Sequence, residues 1–169
     1  EVTLDECLDM AAAKTGALMK CAVAIGAIAV GAPEPDVRAL AEFGDNVGLA
    51  FQLVDDLLGI WGAPEVTGKP ALADLRSKKK SVPVVAALTS GTAAGRELAK
   101  IYRQAKPLTD EELPYVAKLV EQAGGLLWTE QEADRRIQLA RKNLDSLDLS
   151  KEIVQPLWST ALFVTGRDR

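Results

Sequence analysis

The sequence predicts an all-α fold, a packed helix bundle, and three observations carry that prediction. Apolar residues recur at three- and four-residue steps, capping patterns open several segments, and no stretch alternates in the period-two manner of a half-buried strand. At 169 residues the chain is long enough for one domain with its own core. A composition of 48% apolar and 26% charged residues belongs to a globular protein rather than a disordered one.

The elements follow in order. Thr3 and Glu6 have the spacing of a capping box, which opens a helix running to about Val30. Gly31 and the stretch APEPD make a turn, and a second long helix is predicted from about Asp36 to Trp61. Residues 62–80, GAPEVTGKPALADLRSKKK, mix Gly, Pro and charge without periodicity and read as a long loop, usually a functional feature in a compact domain. Shorter helices are predicted over Ser81–Leu88 and Ala93–Gln104, and a further one opens at Thr109 with Glu112 completing a second capping box. Gly124 and Gly125 break the chain. The next helix carries Ala133, Ile137, Ala140, Leu144 and Leu147 as one apolar stripe. Ser150 caps a last helix with Ile153, Leu157 and Leu162 among its apolar positions. Gly44 and Gly48 are read as places of close helix approach, and Trp61, Trp128 and Trp158 as core or interface residues.

Charge and special residues narrow the function. The net charge of −4 gives no electrostatic case for nucleic acid. The longest contiguous apolar stretch, Cys21–Ala32, is too short to span a bilayer and no signal segment is recognisable, so no membrane span and a cytoplasmic location are expected. Cys7 and Cys21 fall on one predicted helix roughly 21 Å apart, too far for a disulfide, and are expected to be reduced packing residues. Histidine is absent, which removes the usual general base and every Ser-His or Cys-His nucleophilic system. An enzyme built on this sequence runs on carboxylates, lysines, backbone dipoles or a bound metal.

The stretch FQLVDDLLGIWG, residues 51–62, places Asp55 and Asp56 side by side in an otherwise apolar helix. Two readings stand. Either the pair faces solvent near a helix C-terminus, where the macrodipole disfavours negative charge, or it bounds a cavity and binds a hard cation such as Mg²⁺. The loop that follows carries Gly68-Lys69, Asp74 and the run Lys78, Lys79, Lys80. Lysine runs are ordinarily solvated surface. Acidic ligands followed closely by ammonium groups are also what a diphosphate site needs, because metal and lysine share neutralisation of its oxygens. Lys14, set among alanines on the first helix, either snorkels or reaches into a bundle cavity.

Taken together, KTGAL at 14–18, FGDNVGLAFQLVDDLLGIWG at 43–62 and GKPALADLRSKKKSVP at 68–83 resemble the trans-type isoprenyl diphosphate synthases, the polyprenyl synthetase family. The resemblance covers the C-terminal half of such an enzyme, and GRDR at 166–169 looks like a family C-terminus. It implies an isoprenoid-synthase helix bundle around a deep cavity, in which Mg²⁺ ions hold an allylic diphosphate. The diphosphate leaves, isopentenyl diphosphate attacks the allylic cation, and a proton is lost to the departing diphosphate. It further implies that Asp55 and Asp56 belong to the second aspartate-rich motif, with Asp55 favoured as the direct Mg²⁺ ligand. By the same resemblance Lys14, Lys69 and Lys79 contact diphosphate, Thr15 and Gln52 turn oxygen dipoles to the developing cation, and Asp74 stands behind the ligands.

Two departures accompany the resemblance. The family's second motif is typically DDxxD, and its fifth position here is Gly59, which removes a carboxylate from the Asp55 face. This is expected to tune activity rather than abolish it. No other adjacent aspartate pair exists in the sequence, so the first aspartate-rich motif is missing. With Glu1 in place of Met, the chain is expected to be the C-terminal part of a longer synthase, inactive alone, with apolar faces that favour a dimer or pairing with the missing N-terminal half. Two rivals remain: a non-catalytic partner subunit or degenerate homologue, and a class I terpene cyclase. The cyclase pattern at four-residue steps from Asp55 or Asp56 is not met, since those steps give Gly59 and Ala63, or Ile60 and Pro64.

Overall fold

A computed structural model describes residues 2–68 and 70–166, with the side chains of 66 and 67 excepted. Among the described residues the chain is helical with no strand, as predicted. Helices α1 (Leu4–Ala11) and α2 (Ala17–Ala29) are joined without a break by a π-helical turn, Ala12–Gly16. Next come α3 (Glu34–Trp61), the single turns α4 (Pro64–Thr67) and α5 (Ala73–Arg76), and α6 (Val82–Thr89). The chain continues with α7 (Ala93–Arg103), α8 (Leu113–Gln122), α9 (Gly125–Asp145) and α10 (Lys151–Thr165).

The start signals act as chemistry predicts. The Glu6 carboxylate accepts from the Thr3 amide at 2.8 Å and the Glu6 amide donates to the Thr3 hydroxyl at 3.2 Å, closing the first capping box. At the second, the Thr109 amide donates to Glu112 at 2.8 Å, but the helix proper begins only at Leu113, with Pro114 in its first turn. The box therefore ties down a turn ahead of α8. The expected loop over 62–80 contains α4 and α5, too short to leave a periodic signature.

The described residues fall into two compact units, 2–8 with 53–131 and 9–52 with 132–166. In the first, α6 is buried along nearly its whole length, from Val82 to Ala87, which explains its apolar sequence. Leu98 of α7 and Leu113, Val116 and Val120 of α8 pack around it with Ile60 and Leu75. A β-carbon at Gly125 would run into the Pro83 carbonyl, so the glycine lets α9 begin directly against α6. Thr92 caps α7 by accepting from the Gly95 amide at 3.0 Å. The other end of α7 is closed by Lys78, whose ammonium donates to the carbonyls of Ile101, Gln104 and Lys106 at 3.1, 2.7 and 2.8 Å. A cation on the last carbonyls satisfies orphan acceptors and complements the helix dipole.

In the second unit Phe43 and Val47 of α3 pack with Ala140 and Leu144 of α9 and Ala161 of α10. Gly44 and Gly48 behave as read: a β-carbon at 48 would lie 2.7 Å from the Gly16 Cα, and one at 44 would lie 2.6 Å from the Met19 carbonyl oxygen. Asn143 donates to Glu42 at 2.9 Å and accepts from Asn46 at 3.3 Å, joining α9 to α3. Trp158 receives the Arg141 guanidinium over its ring, 5.2 Å from the centroid.

One expectation is corrected. Cys7 is buried but Cys21 is exposed, because α2 presents its Cys21 side to solvent along with Leu18, Ile25 and Ile28. The continuous helical run Leu4–Ala29 is long and apolar enough to cross a membrane by length and composition.

Candidate active site

In the first unit the sequence-predicted residues Asp56, Asp74 and Lys79 meet. Asp56 faces inward from α3 and is only 4% exposed. Its Oδ1 accepts from Lys79 Nζ at 3.0 Å and its Oδ2 from the Val82 backbone amide at 2.9 Å. Val82 is the first residue of α6, so the carboxylate satisfies one orphan N–H and sits at the positive end of a helix dipole. Lys79 also donates to Asp74 Oδ2 at 2.8 Å, making its ammonium a bridge between two carboxylates. The Lys79 amide in turn bonds the Asp74 carbonyl at 2.9 Å, closing the segment on itself.

Burial alone would lower the Lys79 pKa. The hydrogen bond to Asp74 and the charge of Asp56 more than offset it, so the ammonium is held well above its ordinary value. Cys7 stands beside this group, its thiol donating to the Lys80 carbonyl at 3.6 Å. Burial, then the Asp56 charge, push that thiol up to about 11, with Lys79 opposing. It is therefore protonated and unreactive at neutral pH. The Tyr102 hydroxyl and the Ser81 Oγ are buried without hydrogen-bond partners among the described residues.

Asp55, half-buried on the neighbouring face of α3, makes no hydrogen bond or ion pair among the described residues. Of the two aspartates expected at a metal, it is the one whose oxygens are uncommitted. Lys69 lies outside the described residues, as does the tail beyond Gly166.

In the second unit Thr15 and Gln52 meet. The Thr15 hydroxyl donates to Gln52 Oε1 at 2.9 Å. Gln52 is 8% exposed and Thr15 lies in the π-helical turn. Such turns are unstable by propensity and cluster where a side chain must be aimed. Lys14, from the same turn, is exposed.

The model of the polyprenyl synthetase family matches residues 1–120. The chain belongs to the polyprenyl synthetase family. A (2E,6E)-farnesyl diphosphate synthase of Mycobacterium tuberculosis is 49% identical over 140 residues, covering 81% of this chain and 39% of that protein. A geranylgeranyl diphosphate synthase of the same organism is 45% identical over 154 residues, 91% of this chain and 44% of its own length. This polyprenyl synthetase chain thus spans less than half the length of each of these two relatives. Among solved structures, a polyprenyl synthetase from Streptomyces coelicolor A3(2) superposes with a TM-score of 0.92 at 44% identity, over 97% of this chain and 50% of that one. A geranylgeranyl pyrophosphate synthase from Corynebacterium glutamicum, complexed with isoprenyl diphosphate and magnesium, gives 0.86 at 28% identity, over 99% and 48%. The isoprenoid-synthase bundle expected from the sequence is therefore the fold, present over about half of those chains.

Sequence reasoning missed three participants. Lys78 looked like one of three equivalent lysines and is a helix cap. Its neighbour Lys79 is the bridged one, and the positive φ of Lys78, 48°, is what turns the two side chains apart. Cys7 and the Val82 amide also gave no signal, although Pro83 just inside a predicted helix start pointed to an N-terminus there.

Proposed function

We propose that this chain supplies the second-aspartate-motif half of a Mg²⁺-dependent prenyltransferase that joins an allylic diphosphate to isopentenyl diphosphate. The observation that carries the reading is the bridged ammonium of Lys79, held charged between Asp56 and Asp74, beside an uncommitted Asp55. The names of the relatives support the substrate class.

Mg²⁺ takes oxygen ligands and needs only one or two protein carboxylates when water and phosphate oxygens complete its shell. Asp55 meets that demand, whereas both Asp56 oxygens are engaged by Lys79 and Val82. When bound, the metal neutralises the leaving diphosphate; Asp55 is the residue of this chain that would hold it. Lys79 has two N–H groups on carboxylates and one left to donate to a diphosphate oxygen, with Lys14 and Lys69 assigned the same kind of contact. Thr15 commits its one hydroxyl proton to Gln52, so its oxygen offers only lone pairs elsewhere. Lone pairs favour a developing allylic cation and repel nothing the reaction forms there. In the reaction the allylic C–O bond breaks, the isopentenyl double bond forms the new C–C bond, and a proton goes to the departing diphosphate.

Among the described residues no group of three or more His, Cys, Asp or Glu side chains is placed to hold a metal. What favours a second carboxylate set supplied from outside this chain, and so an isolated chain without turnover, is that Asp55-Asp56 is the one adjacent aspartate pair in the sequence. It also keeps a non-catalytic partner subunit as the second reading. We further propose a cytoplasmic enzyme that associates through exposed apolar faces such as Leu18, Ile25 and Ile28 on α2.

The test is thermal unfolding with Mg²⁺ and inorganic diphosphate added together. Binding at a hundredfold excess over Kd stabilises by about 2.7 kcal/mol, which is about 5–10 °C in Tm at this chain length. Lys79→Met is expected to remove the shift. A chain whose Tm ignores the pair of ligands is a scaffold, and the enzyme reading fails.

A further inference from the structure

Position 59, where the resembling motif carries its last aspartate, holds a glycine in the interior of α3, one helical turn beyond Asp55. A β-carbon there would stand 2.6 Å from Asp74 Cγ and Oδ2 and 2.9 Å from Oδ1. Those distances are shorter than any non-bonded contact a real β-carbon makes, so the Asp74 carboxylate and a side chain at 59 cannot both occupy this place. The carboxylate of Asp74 thus fills the space an acidic side chain at 59 would take.

We propose that Gly59 is a socket for the Asp74 carboxylate, and that Asp74, seated in it, is the positioning residue for Lys79. The acidic group of the motif's last position is delivered in space by the loop rather than in sequence by the helix.

Asp74 is not free to move aside. Its Oδ2 takes the 2.8 Å bond from Lys79, its carbonyl takes the Lys79 amide, and its side chain is only 14% exposed. Lys79 is itself tied to Asp56. The two non-glycine residues with positive φ among the described residues, Leu72 at 60° and Lys78 at 48°, stand on either side of α5. Strained backbone at both ends of a single turn persists only where surrounding contacts over-determine it. The socket, the ammonium bridge and the Lys78 cap are those contacts. That Lys79 so placed serves diphosphate rests on the function proposed above; the socket does not.

The experiment is a set of melts on the full chain without Mg²⁺ or diphosphate. A helix-interior Gly→Ala substitution ordinarily raises stability. Gly59→Ala is expected to lower Tm by several degrees, because the methyl group evicts Asp74. In an Asp74→Ala background the same substitution is expected to raise Tm, since the socket is then empty. Gly59→Asp, which writes the fuller motif, is expected to lower Tm like Gly59→Ala. Limiting acetylation mapped by mass reads the bridge itself: Lys79 is modified several-fold faster in Gly59→Ala and Asp74→Ala than in the parent, while exposed Lys100 is unchanged.

A Gly59→Ala or Gly59→Asp protein at or above the parent Tm overturns the proposal, as does an equal loss in both backgrounds or an unchanged Lys79 rate. Should Gly59→Ala fail to fold, folding of Gly59→Ala with Asp74→Ala supports the socket, and failure of both overturns it. These melts contain no ligand, so they stand or fall apart from the Mg²⁺-diphosphate test of function.

Discussion

Asp56→Ala removes the carboxylate on which α3, α6 and the Lys79 segment converge. Two consequences follow from the geometry. The Val82 amide loses its 2.9 Å acceptor at a buried helix start, a desolvated donor whose abandonment costs about 1–3 kcal/mol. Lys79 loses its 3.0 Å partner, but its side chain is 42% exposed and keeps Asp74. The roughly 3–5 kcal/mol for breaking a fully buried pair must therefore be discounted to about 1 kcal/mol for one so well solvated. The sum is about 2–4 kcal/mol, or a fall in Tm of about 5–15 °C at this chain length. Asp56→Asn keeps an acceptor for Val82 but turns an amide NH2 toward the Lys79 ammonium, losing the charge and the Lys79 hydrogen bond while sparing the Val82 amide, so it is expected to show about half the loss. Urea and thermal unfolding of the two variants beside the parent measure both numbers. An Asp56→Ala protein within about 0.5 kcal/mol of the parent, the range of ordinary surface substitutions, refutes the assignment of Asp56 as an internal strut. Its oxygens would then be available to a metal after all.

Other expectations are simpler to read. Lys78→Met strips three carbonyls of their cap and is expected to cost about 1–2 kcal/mol while leaving the Mg²⁺-diphosphate Tm shift intact, whereas Lys79→Met abolishes that shift; identical behaviour of the two variants contradicts the division of the lysine run. A thiol reagent on the native chain should label exposed Cys21 quickly and buried Cys7 only on unfolding, read as one fast and one slow site by mass. For pH, the folded Lys79 pKa is raised above its unfolded value of 10.5, so its contribution is full below that value and lost as pH rises through the folded one. Glu132 runs the other way. Burial alone would raise its pKa, but its bonds to Arg135 and Arg136 hold it below 4.5, so its contribution is present above that pH and lost as pH falls through the folded value. Unfolding curves should weaken at both extremes, with Lys79→Met reducing the alkaline loss but leaving the part due to the buried Cys7 thiol and Tyr102 hydroxyl, and leaving the acid arm unchanged.

Sequence-level reasoning reached the helices whose signals are local and periodic. Thr3 with Glu6, the α3 run to Trp61, and the Ala133–Leu144 stripe are each fixed by neighbours within one or two turns, so the structure repeats them. It reached the site partly. Asp56, Asp74 and Lys79 were singled out and do meet, as do Thr15 and Gln52. Their partners were invisible because each lies far along the chain: Val82 is 26 residues from Asp56, and the three carbonyls that hold Lys78 lie 23 to 28 residues on. A lysine run has no periodicity that separates a cap from a bridge; only the backbone turn between Lys78 and Lys79 does that.

Gly59 shows the limit most sharply. In the sequence it reads as a lost carboxylate on the Asp55 face, a subtraction that weakens a metal site. In the structure the same glycine is the reason a carboxylate can stand there at all, because Asp74 occupies the space a side chain would claim. A motif read along one helix counts only the groups that helix carries. The physical requirement is for an acidic group at a place, and a loop segment of nine residues, Leu72 to Lys80, closed by its own backbone bond and by Lys79, can meet it as well as a helix position can. A glycine at a motif position is therefore a loss only if nothing else has moved into the room it leaves.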